Sequence, residues 1–169
     1  MSTGEDTVVL VTRPGDAWEL ERLPSRLADD LDALVAALRQ SGGGSGAIGL
    51  VDLDDDVVVL VRVAGGGHGS PVRLVLSDLA AALDFDLAGD VADSLGLDVP
   101  EDDDGAAGVT PVGDLGMLAE FGFDATSLTG LLSDEDAYAS ELLARLATSL
   151  GFGSAWARVV APKPARSTR

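Results

Sequence analysis

Residues 57–63, VVVLVRV, set the tightest limit on what this chain can become. Five of the seven are valine, and only Arg62 is polar. A run of that kind suits a strand covered on both faces better than one with a face in water. Residues 47–53 (AIGLVDL), with Ile48, Leu50, Val51 and Leu53, and residues 72–76 (VRLVL) read as two further strands. Asp54-Asp55-Asp56 joins the first pair as a turn of hairpin length. Residues 65–71, GGGHGSP, join the second pair. Glycine supplies positive φ there, and Pro71 can open an edge strand because it donates no ladder hydrogen bond. Ser77 is expected to cap a helix over residues 78–83. Connections this short make the neighbours antiparallel, so the stretch reads as a meander.

The flanking segments fit around that meander. Residues 7–12 (TVVLVT) are a strand, residues 13–16 a turn, and residues 17–23 a second strand carrying Trp18, Leu20 and Leu23. Together they make an edge hairpin. Trp18 reads as half-buried on the sheet; the sharper alternative is an anchor for a partner. After Pro24-Ser25, apolar Leu27, Leu31, Leu34, Val35 and Leu38 recur at helical spacing. Asp29, Asp30 and Asp32 stand at the positive end of that helix, and Gly42-Gly43-Gly44 ends it. The first 86 residues therefore read β-β-α-β-β-β-α. The expected fold class is α+β, an antiparallel five-stranded sheet followed by a small C-terminal helical part. This element order resembles profilin-like and roadblock/longin-type domains. Many of those are interaction modules, but fold alone does not assign function.

Beyond the meander the chain becomes acidic and then helical. Residues 84–104 hold nine acids and no base, and residues 98–110 read as a solvated acidic linker. Asp114 is expected to cap a helix over 115–121 that stops at Gly122, and Asp124 one over 125–132. Ser133-Asp134-Glu135-Asp136 has the spacing of a capping box. The helix it would start carries Tyr138, Leu142, Leu143, Leu146 and Leu150 and stops at Gly151, with Phe152 and Trp156 continuing its apolar face. Helices this short bury their stripes only against each other and the sheet. The expected organisation is a sheet domain over 1–97, the linker 98–110, a helical part packed on the sheet over 111–158, and a disordered basic tail over 159–169.

Charge narrows function more than fold does. Eleven basic residues against 29 acidic give −18. Four of the eleven lie in the last twelve residues, so residues 1–157 hold seven against 29, or −22. Such a surface repels phosphate backbones, which argues against direct nucleic-acid binding. The bland reading of the charge is solubility, and the sharper one is a basic protein partner. The absence of cysteine excludes disulfides, thiolate metal sites and a cysteine nucleophile. The start MSTGEDTVV lacks the pattern of a signal peptide, and no run of about 18 apolar residues occurs. The expected location is cytoplasmic, with no membrane partner.

The tempting motifs fall short. Gly44-Ser45-Gly46-Ala47-Ile48-Gly49 matches G-x-G-x-x-G, but a helix precedes it and a strand follows, the reverse of a dinucleotide site. Asp52 to Asp56 imitates half of an EF-hand, yet Val57 replaces the required glycine and Val63 the final glutamate, which leaves a turn. His68 is the one histidine and sits in a glycine-rich turn, without the converging ligands of a zinc site or the partner of a general base. Ser70, Ser77 and Ser133 lack a G-x-S-x-G setting. No catalytic, cofactor-binding or metal residue is expected.

Three segments carry a resemblance: VRLVLSD at 72–78, PVGDLGMLAEFG at 111–122, and ELLARLATSLGF at 141–152. Across roughly residues 7–158 the chain resembles the tRNA adenosine deaminase-associated protein family of high-GC Gram-positive bacteria. The resemblance implies association with the deaminase, not a reaction, and carries over no active-site residue. The chain itself lacks the H-x-E and P-C-x-x-C of a zinc deaminase. The expected function is a non-catalytic accessory protein that binds a basic partner, with the deaminase as the candidate. The alternative is a small-ligand sensor or enzyme with a pocket between sheet and C-terminal helices, near Ser77, His68 and Asp114. A third option is a homodimer paired through an edge strand.

Overall fold

The structure, a computed structural model, describes residues 6–13, 15, 17–42, 46–64, 71–97 and 111–160. The N-terminal residues 1–5, Gly44 and Ser45, the turn at 65–70 with His68 and Ser70, the linker 98–110 and the tail from 161 lie outside these residues. Six strands form one antiparallel sheet: β1 Thr7–Thr12, β2 Glu19–Leu23, β3 Ala47–Leu53, β4 Val57–Val63, β5 Val72–Leu76 and β6 Val112–Gly113. Their spatial order is β2-β1-β3-β4-β5-β6. The α+β class and the meander β3-β4-β5 stand as expected. The sixth strand is new. It is two residues long, too short for any periodicity, and pairs Gly113 with Val75 and Val112 with Leu76. Gly113 has φ of 111°, and a Cβ there would collide with the Leu74 carbonyl oxygen, so only glycine fits this edge.

Both faces of the sheet are covered. One face presents Val8, Leu10, Val51, Val59, Val61 and Leu76 to α1 (Leu31–Gly42) and α2 (Asp86–Leu95). The opposite face presents Val9, Val11, Ile48, Leu50, Val58 and Leu60 to α3 (Ala125–Leu132), α4 (Ala139–Leu150) and α5 (Gly153–Val160). Strands β3 and β4 lie between two apolar layers, which is why their sequences show no polar face. Arg62 is the exception in β4. It faces the end of the second helical layer and pairs with Glu120 at 2.8 Å. Gly49 lets α1 approach: a Cβ there would stand 3.2 Å from Leu38.

The helices depart from the sequence expectation at their ends. Residues 25–38 are not one helix. A 3-10 turn over Ser25–Asp29 stops at extended Asp30, whose carboxylate accepts from the N–H groups of Asp32 and Ala33 and starts α1. Ser77 does not cap residues 78–83. It is buried, its hydroxyl accepts from Val58 N–H at 3.0 Å, and Asp78 caps a 3-10 turn over Leu79–Leu83 instead. Residues 115–121 form turns ending in a short 3-10 segment, Ala119–Phe121, rather than a helix begun by Asp114. Ser133 ends α3, donating its hydroxyl to the Thr129 carbonyl, and does not begin α4. By contrast Asp124 caps α3 by accepting from Ser127 N–H, and Gly122 and Gly151 are left-handed stops, as the sequence implies.

The start of α4 is fixed from across the molecule. Asp55, in the β3–β4 turn, accepts from Ala139 N–H through its carbonyl at 3.1 Å and from Ser140 N–H through its carboxylate at 2.9 Å. Glu141 adds a bond from Tyr138 N–H at 2.9 Å. Replacing Asp55 with alanine should cost about 1 kcal/mol and speed hydrogen exchange at Ala139 and Ser140, measured by urea titration and amide exchange. Leu60→Ala, at a fully buried site between the layers, should cost roughly 2–5 kcal/mol in the same titration.

Candidate functional site

Strand register divides the sheet into two unlike ends. Thr7, Leu23, Leu53, Val57 and Leu76 mark one end. Thr12, Glu19, Ala47, Val63 and Val72 mark the other. The first end holds the β3–β4 turn and gathers carboxylates from three regions. Asp6, Asp52, Asp54, Asp55 and Asp56 come from the strands and the turn. Asp78 and Asp84 flank the 3-10 turn on one side of the sheet, and Asp134 and Glu135 come from the α3–α4 connection on the other.

The turn is held by its own acids. Asp54 and Asp55 both have positive φ, 54° and 57°, as the tight primed turns of hairpins require. The Asp6 carboxylate accepts from Asp54 N–H at 3.0 Å, and the Asp52 carboxylate from Asp55 N–H at 2.7 Å. Asp52 is 7% exposed, and its pKa is pushed up to about 6, chiefly by burial and further by the charges of Asp55, Asp6 and Asp54. Asp6 is raised in the same direction, again mainly by burial. The expected reading of Asp52 to Asp56 as a turn rather than an EF-hand stands.

Beside this turn a cleft of about 170 Å³ opens between the two helical layers. Ala80, Ala81, Asp84 and Phe85 line one wall, and Asp134, Glu135, Ala137 and Leu142 the other, with Val57 and Ser77 in the floor. The cleft is smaller than the roughly 300–1,000 Å³ of small-molecule pockets. Arg145 pairs with Asp134 at 2.7 Å and, with the Asp136 N–H, holds that carboxyl below its usual range.

The opposite end carries aromatic rings and arginines. Trp18 packs on Phe121 and Phe152 with centroids 5.2 and 4.9 Å apart, and Arg13 lies 4.9 Å over the Trp18 ring. Trp18, just before β2, is therefore half-buried and packed, the blander of its two readings. Arg62 lies 4.8 Å over Phe121, and its hydrogen bond lowers the pKa of Glu120.

Between sheet and C-terminal helices the acidic cleft, with Val57 and Ser77 on one side and Ala137 and Leu142 on the other, is an opening near Ser77, and much of the remaining interface is packed. Met117, Leu118, Leu128, Leu132 and Leu143 fill that packed part. Ser77 lines the acidic cleft, Asp114 pairs instead with Arg73 at 3.4 Å, and His68 lies outside the described residues. A groove of about 660 Å³ does exist on the other face, between α1, α2 and β5, with Leu31, Val35, Val72, Leu74 and Leu95 beside Arg39. Among the described residues no group of three or more acids or histidines is placed to hold a metal, and no helix is long and apolar enough to cross a membrane.

Fold and site together define an acidic α+β scaffold whose distinctive feature is a charged surface at one end of a buried sheet. The chain belongs to the family described as Rv3753c-like tRNA adenosine deaminase-associated protein, whose model matches residues 6–153. It is 34% identical over 152 residues to Protein Rv3753c of Mycobacterium tuberculosis (strain ATCC 25618 / H37Rv), covering 90% of this chain and 86% of that one. No solved structure matches it.

The buried acid gives this end a measurable pH signature. A raised folded-state pKa means the fold favours protonated Asp52: the benefit is complete below about 4 and is lost as pH rises through about 6. Asp52→Asn keeps an acceptor for Asp55 N–H and cannot ionise. It should stabilise the protein at pH 7.5 by on the order of 2 kcal/mol and have little effect near pH 4. Thermal melts across that range test this, and a pH-independent difference would contradict it.

Proposed function

We propose that this chain is a non-catalytic accessory protein, working in the cytoplasm, that acts by binding a basic protein. The tRNA adenosine deaminase named in its family's description is the partner we assign to it. The observation that carries this reading is charge: −22 over residues 1–157, with Asp6, Asp52, Asp54, Asp55, Asp56, Asp78, Asp84, Asp134 and Glu135 at one end of the sheet. That field attracts a basic surface and speeds its encounter, while it repels the backbone of RNA or DNA. The sequence has no cysteine, so it cannot supply the P-C-x-x-C half of a deaminase zinc site, and contributing a surface is the role left to it in such a partnership. Strand pairing between copies is disfavoured at β2, where Glu19, Glu21 and Arg22 guard the edge.

A second reading, a small-ligand sensor, draws support from the groove between α1, α2 and β5, whose volume suits a metabolite. It stands on the opposite face from the one the sequence suggested.

Calorimetric titration with the purified deaminase of the same organism distinguishes the two. The accessory reading predicts a complex that weakens about tenfold or more between low salt and 0.5 M salt. Absence of binding at any salt, or turnover of a metabolite by the isolated protein, would overturn it.

A further inference from the structure

We propose that the cleft at the β3–β4 end, between Leu83 and Tyr138, is the docking site for a basic segment of the partner protein, which inserts a lysine or arginine side chain there. This rests on the reading that the chain binds a basic protein, and it names the surface. Its first support is apolar exposure. Among the described residues three large hydrophobic side chains stand out in solvent: Leu83 at 56%, Tyr138 at 65% and Leu97 at 36%. Leu83 adjoins Asp84 on one wall of the cleft, and Tyr138 adjoins Ala137 on the other. Two of the three are thus next in sequence to residues that line the cleft, one on each wall. Exposed tyrosine is enriched among interface anchors, and exposed apolar side chains mark interaction surfaces.

The chemistry of the cleft selects the occupant. Its lining is mainly polar, with carboxyls at Asp56, Asp78, Asp84, Glu135 and the Arg145-paired Asp134, and a smaller apolar part at Val57, Ala81, Phe85 and Leu142. A cationic head fits the first and a methylene stem the second, so a lysine or arginine matches where a metabolite or an anion does not. At about 170 Å³ the space suits a single side chain. The walls are also fixed in advance. Ser77 ties the floor to Val58, and Asp55 clamps the start of α4 next to Tyr138. Little ordering cost then remains for the binding step.

The test uses the full chain and the purified deaminase in the same titration. Three variants change the cleft: Leu83→Ser with Tyr138→Ser, Asp84→Lys, and Asp56→Lys. Two controls alter the exposed end of α2: Leu97→Ser and Asp93→Lys. All six sites are exposed, and melting curves confirm that each variant folds. A photo-crosslinking residue at position 138 provides a second readout that needs no loss of binding. The proposal predicts about tenfold or greater weakening for the cleft variants, changes within about twofold for the controls, and a crosslinked partner peptide containing lysine or arginine. Cleft variants that bind like the parent chain, with crosslinks absent, would overturn the docking site and leave the accessory reading standing. A parent chain that binds no deaminase would overturn both.

Discussion

Burial of the sheet on two faces is the constraint from which the rest follows. Strands β3 and β4 can be almost wholly apolar because α1 and α2 cover one face and α3, α4 and α5 the other. The same arrangement consumes the surfaces on which an antiparallel sheet would usually bind something. What remains for recognition are the ends of the sheet, its two edges and the outer faces of short helices. The edges are poor candidates: β2 carries charge along its length, and β6 is two residues long. That leaves the two ends of the sheet, which differ in charge, and the groove between α1, α2 and β5.

The acidic end is also where the two helical layers are tied to the sheet. One turn, Asp54 to Asp56, closes β3 onto β4, and its Asp55 caps α4. The carboxylates there do two things at once. Asp6, Asp52 and Asp55 bond backbone N–H groups and hold a strained turn and a helix start. Asp56 and Asp84 are exposed and set the field. Burial is the main cause of the raised pKa of Asp52, and repulsion from Asp55, Asp6 and Asp54 adds to it. A basic partner would relieve part of that repulsion, which gives association a driving force built into the fold.

The parts of this fold legible in the sequence were those with strong local signals. The valine run of β4, the apolar run of β1, the Asp124 cap and the Gly151 stop each announce themselves within a few residues. Several of the failures share a cause: the deciding partner is remote in sequence. Ser77 looks like a helix cap until Val58, nineteen positions earlier, takes its hydroxyl. Ser133 looks like the start of α4 because nothing nearby shows that Asp55, 85 positions before Ser140, supplies the cap. Strand β6 rests on a close approach to Leu74 that only Gly113 permits, and glycine alone is no strand signal. The acidity of the site was plain from the sequence, but its concavity was not. The cleft forms from segments 56–57, 77–85 and 132–142, which only the layered fold brings together.

On the proposed function, this acidic scaffold works by what it touches, with the cleft between its helical layers as the point of contact. Hydrogen–deuterium exchange of the protein alone and saturated with the deaminase measures that contact most directly. The account predicts slowed exchange across residues 77–85 and 133–140, with α1 and α2 unchanged at the groove they share with β5. Slowing confined to that groove, or an exchange pattern unaltered at saturation, would contradict it.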